Sequence, residues 1–123
     1  MSATGSFEVD LTPQEDGTAP AGRMILAKRY EGGVSGTAAG QMISKRTQAG
    51  TAVYFAVEEF IGSVDGKAGG FTLLHQGRMS TDSQSLEITI LEGSGSGELA
   101  TISGSMTITQ DENGHQYDLD YDL

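Results

Sequence analysis

The sequence predicts an all-β fold, a single closed antiparallel barrel of about eight strands that takes in residues 1–123. Three observations point there. Apolar and polar residues alternate with period two along most of the chain, the pattern of strands with one buried face. Eighteen glycines against two prolines fall between the apolar runs, where they mark turns and strand bends. No segment carries a convincing helical pattern. Strands without helices to cover them must hide their edges, and closure into a barrel does so fully. The rival is an open two-sheet sandwich.

The elements follow in order. Phe7, Val9 and Leu11 alternate with Ser6, Glu8 and Asp10 in a first, half-buried strand. A loop with Pro13, Asp16, Gly17 and Pro20 follows, then a second strand from Met24 to Tyr30 and a turn at Glu31-Gly32-Gly33. Val34 to Ser44 is rich enough in alanine for a helix, but Gly36 and Gly40 oppose one. Four residues apart, they share a strand face and let a barrel wall bend. Gly50 to Gly62 is read as a strand from its valine, tyrosine and phenylalanine content. Asp65-Gly66 with Gly69-Gly70 forms a hairpin connection to a fifth strand, Phe71 to Met79. Ser85 to Leu91 is the sixth. A glycine- and serine-rich loop, Gly93 to Gly97, leads into a seventh, Glu98 to Thr109. Asn113-Gly114 is the strongest short hairpin signal, and Tyr117, Leu119, Tyr121 and Leu123 alternate with aspartates in the last strand.

Composition narrows the function classes. A chain of this length buries roughly 65% of its unfolded surface, enough for a core without staples. Without cysteine there is no disulfide framework and no thiolate chemistry, and a reducing, cytoplasmic setting is expected. Met1 to Asp10 has neither the basic region nor the apolar run of a secretory signal. No stretch approaches the ~20 apolar residues of a membrane span. A formal charge of −10, from 17 acidic and 7 basic residues, repels phosphate backbones and anionic lipid surfaces and favours solubility. Neither nucleic acid nor membrane is an expected partner.

No motif specifies a reaction, so the catalytic residues stay unassigned. Two histidines exclude a multi-histidine metal centre within one chain, and neither a metal nor a cofactor is expected. Asp118, Asp120 and Asp122 share one face of a straight strand, which cannot wrap an ion, so they read as a solvated outer face. His115 falls at the barrel rim and is assigned nothing. Glu58 and Glu59 are adjacent, so one of them must point inward. A carboxylate in an apolar lumen needs a partner or its pKa rises. His75, which shares a face with Phe71 and Leu73, is the candidate partner. Tyr54, Tyr117 and Tyr121 are candidates to add phenols to the same cavity. The structural reading is a polar pair fixing strand register and tyrosines that find ordinary hydrogen bonds.

Gly93-Ser94-Gly95-Ser96-Gly97-Glu98-Leu99, followed by Ile102, Gly104 and Met106, resembles the glycine-rich loop and bent strand of the allene oxide cyclase and dirigent barrels. The order of Gly5-Ser6-Phe7-Glu8-Val9, the Tyr54 to Gly62 strand, Gly70-Phe71 through His75 to Gly77, the Ser94 to Leu99 loop and the Tyr117 to Leu123 strand is similar to that of an uncharacterised bacterial family. That family is catalogued as a domain of unknown function and placed with the allene oxide cyclase-like barrels. Its Tyr-x-Ala-x-Glu pattern falls on Tyr54, Ala56 and Glu58, and so implies that Glu58 is the inward carboxylate. The chain departs from the family at Thr101, where a glycine is common. The resemblance implies a fold; it carries no activity.

The expectations are three. The first is a module binding a small apolar or amphipathic ligand in the lumen, oriented by Glu58, His75 and a tyrosine. The second is a packed barrel acting through its surface or as an oligomer. The third is an isomerase or cyclase in which Glu58 is the base or an electrostatic stabiliser and His75 the proton donor. Apolar residues on both faces of the Gly50 to Gly62 strand predict a homo-oligomer, with a dimer as the first guess.

Overall fold

A computed structural model describes residues 1–123 except Asp16, so that part of the Pro13 to Pro20 loop reading lies outside the described residues. The elements are β1 (Ser2–Gln14), β2 (Gly22–Gly32), β3 (Val34–Arg46), β4 (Ala52–Val64), β5 (Lys67–Met79), β6 (Gln84–Ile90), β7 (Ser96–Gly97), β8 (Ser103–Asp111) and β9 (Gly114–Asp122). The described residues form no helix long and apolar enough to cross a membrane.

Eight of these strands close an antiparallel ring. Each pairs with the next from β1 to β6, β6 pairs with β8, β8 with β9, and β9 returns to β1. The short β7 adds a rung to β5 at Gly69 and Gly70. Period two then divides each strand into an inward and an outward row. In β4 Ala56, Glu58 and Phe60 are buried, whereas Phe55, Val57 and Glu59 are exposed.

Three local readings are corrected. Asp65-Gly66 alone makes the β4–β5 turn, with φ of 49° and 86°, the two left-handed residues that a tight hairpin needs. Gly69 and Gly70 lie within β5 instead, because the β7 backbone crosses there. A Cβ on Gly69 would sit 2.0 Å from the Ser96 carbonyl oxygen. Glu98 to Thr101 is a turn and not the start of a strand, which begins at Ser103. That turn sends Leu99 and Ile102 into the core, where they are 0% and 3% exposed. Pro13 ends up inside β1, opposite Met24. Beyond Phe7, β1 has no β9 partner, so the missing proline N–H interrupts no ladder on that side.

The barrel has two unlike ends. At one, Leu99 and Ile102 join Ala3, Val34, Val64 and Tyr121 in a sealed apolar core. At the other, the ring loosens. β1 loses β9 after the Phe7–His115 pair, and β6 meets β8 only at Ile88–Met106 and Thr89–Ser105. Inward rows there reach solvent: Leu11, opposite buried Leu26, is 48% exposed, and Leu86, opposite Gly77, is 41% exposed.

Candidate functional site

Glu58 sits between the two ends and is fully buried. Its neighbours come from β2 and β5. Lys28 Nζ donates to Glu58 Oε1 at 2.9 Å, and His75 Nε2 lies 2.8 Å from the same oxygen. The Tyr30 hydroxyl donates to Oε2. Register produces this meeting. Glu58 pairs with Gly40 across β3 and with Leu73 across β5, so the space over Gly40 admits side chains from β2 beyond it. A Cβ at Gly40 would lie 2.3 Å from the Val57 carbonyl oxygen, so a side chain there is excluded by the close approach of β4.

Burial alone would push the Glu58 carboxyl up. The hydrogen bond from His75, the charge of Lys28 and the hydrogen bonds from Tyr30 and Lys28 outweigh it and hold the group below its ordinary value. Glu58 is therefore an ionised carboxylate that accepts from three donors. Burial and then the Glu58 charge push the Tyr30 phenol well above its ordinary range, so it stays a donor. Lys28 also lies over the Phe7 ring, 4.7 Å from its centroid, a cation–π contact in a partly dry site.

An ionised carboxylate only accepts, so His75 Nε2 carries the hydrogen; in the neutral imidazole Nδ1 is then a bare acceptor. Nδ1 bonds to no described protein group, yet among the described residues no buried side-chain polar atom is left unpaired. Nδ1 therefore reaches solvent, although the residue is only 7% exposed. Lys28, at 9%, keeps donors beyond the one given to Glu58. These two groups form a polar floor. Above it stand the inward, part-exposed side chains of the loosened end: Leu11, Met24, Met42, Tyr54, Leu86 and Ile108.

Glu58 and His75 are brought together, and Tyr54 stands on the wall above them. Its ring lies on Gly77, where a Cβ would be 2.1 Å from Tyr54 Cε1. Its hydroxyl bonds to no described residue. The hydroxyls of Tyr117 and Tyr121 are committed elsewhere. Tyr117 accepts from the Val34 N–H at 2.8 Å and lies 2.8 Å from the Glu31 carbonyl oxygen, stitching β9 to the β2–β3 turn. Tyr121 donates to Asp65 at the sealed end, and that bond pushes its phenol up to about 12. Sequence reasoning missed Lys28 and Tyr30. The signal was present, since Met24, Leu26, Lys28 and Tyr30 form one alternating row, and a cation on an apolar row calls for a buried anion.

Among proteins with curated descriptions, none matches this chain. The fold is similar to the crystal structure of a protein of unknown function, from the DUF3224 family, of Shewanella oneidensis MR-1. The two superpose with a TM-score of 0.93 at 32% identity, over 100% of this chain and 96% of that one. The model of the family described as "Protein of unknown function (DUF3224)" matches residues 3–121, and this chain belongs to that family.

Proposed function

We propose that the protein binds a small amphipathic molecule in the loosened end of its barrel. The observation that carries this reading is the polar floor under apolar walls. A ligand with an apolar body would cover Leu11, Met42 and Leu86, which now face inward yet meet water. Its head would give a hydrogen bond to His75 Nδ1 and take one from Lys28, as a hydroxyl can. Glu58 would touch no ligand; it fixes the His75 tautomer and anchors Lys28. Of the tyrosines, Tyr54 is the one placed to line the path. The kinship to allene oxide cyclase-like barrels and a cytoplasmic home, in keeping with a chain without cysteine, belong to the same reading.

One geometric point favours a second reading, an isomerase or cyclase in the same cavity. A carboxylate-backed imidazole with an open nitrogen is a general base. Of the roles expected from sequence, the base passes from Glu58 to His75: a carboxylate holding three donors is a weak base, so His75 would take the proton and Glu58 would orient and stabilise it.

Binding is tested with anilinonaphthalene sulfonate as fluorescent probe and decanol as competitor. One saturable site per chain, weakened by Met42→Lys and by Leu86→Lys but not by the outward Val57→Lys, is expected. No saturable binding, or loss in Val57→Lys alone, would overturn the reading.

A further inference from the structure

The outer face of β2 to β6 carries an apolar groove of about 1040 Å³ that the lumen reading leaves unused. Strand parity forces Phe55 and Val57 outward, where they are 45% and 51% exposed. Ile25, Ile43 and Leu74 surround them. The registers arrange two outward rows across the strands. Gln41, Val57 and Leu74 form one; Ile43, Phe55 and Gln76 form the next. One row beyond the first stands Glu59, between Ala39 and Thr72. One row beyond the second stand Lys45 and Arg78, on either side of Val53. On β3, β4 and β5 charge is thus divided about the apolar centre: an anion on the middle strand at one end, two cations on the flanking strands at the other; Glu87, beside Gln76 on β6, lines the groove's edge.

We infer that this face is the interface of a symmetric dimer of the chain. A two-fold axis lying in the interface and crossing the strands between the two apolar rows exchanges the ends. Val57 then covers the partner's Phe55. Lys45 and Arg78 fall on both sides of the partner's Glu59, and the symmetric contact repeats the pairing. Glu59 and Arg78 make no bond to any described residue of their own chain, and Lys45 keeps donors beyond the one given to the Pro20 carbonyl. Two chains of net charge −10 repel each other at long range, so a face that places cations against an anion is what allows them to dock. The division of charge favours a second copy over a small apolar molecule, which would use the groove but not its ends.

The test is sedimentation velocity of the full chain up to roughly 100 µM. The wild type should sediment with twice the chain mass. Glu59→Arg and Arg78→Glu should each weaken association about tenfold or more, through charges set against like charges. The combined Glu59→Arg/Arg78→Glu variant should recover part of the loss, since the reversed charges at 59 and 78 face each other again while Lys45 stays unmatched. Both positions are exposed, and an unchanged far-ultraviolet circular dichroism spectrum verifies folding. A monomeric wild type, or a double variant no tighter than the singles, overturns the inference. The lumen reading survives either outcome, because its probe binding is measured per chain.

Discussion

Replacing Glu58 with alanine removes one acceptor that three donors share. The first-order cost counts only His75 as stranded, about 1–3 kcal/mol for an unpaired buried polar group. In the structure Lys28 is stranded as well, with its ammonium 2.9 Å from where the carboxylate was and its side chain 7% exposed. Breaking a buried ion pair by deleting one partner costs about 3–5 kcal/mol. For a domain of this size that lowers Tm by roughly 12–20 °C, at about 4 °C per kcal/mol. The assay is thermal and urea unfolding followed by circular dichroism. A companion variant separates charge from cavity. Lys28→Met in the Glu58→Ala background removes the stranded cation at similar volume, so the double variant should be more stable than Glu58→Ala alone. A Glu58→Ala loss below about 1 kcal/mol, the range of exposed pairs, would refute the reasoning. So would strict additivity of the two substitutions.

Two further outcomes are expected. The folded Glu58 pKa is below its ordinary 4.5, so the stability it confers is complete above that value and is lost as pH falls through the lower folded value. Urea midpoints measured downward from neutral pH should decline in that acid window, and Glu58→Gln should flatten the decline; an equal slope in both proteins would assign the acid sensitivity to other carboxylates. Tyr117→Phe should cost about 1–3 kcal/mol by leaving the buried Val34 N–H without its acceptor, with probe binding unchanged. Weakened probe binding at full stability would place Tyr117 in the ligand site instead.

Much of the fold is legible in local sequence because strand parity is a local property. Phe7-Val9-Leu11, Leu86-Ile88-Ile90 and Tyr117-Leu119-Tyr121 announce their strands, and Asn113-Gly114 and Asp65-Gly66 their turns, from neighbours alone. The span from Glu98 was read as strand, whereas the chain turns at Glu98 to Thr101, just after the β7 rung on Gly69, and carries the Leu99 and Ile102 side chains into the sealed end.

The site divides the same way. Alternation alone determined that one of Glu58 and Glu59 must enter the barrel, and that an inward carboxylate needs donors. Its choice of His75 rested on a shared face. Which donors actually arrive was decided by tertiary register. Lys28 and Tyr30 stand 30 and 28 residues from Glu58 and reach it across the side-chain-free Gly40. The same closure carried the Tyr117 and Tyr121 hydroxyls to the Glu31–Val34 turn and to Asp65. A side chain's face follows from its own strand, whereas its partner follows from which strands lie beside it and in what register. That second choice is made by the whole ring at once.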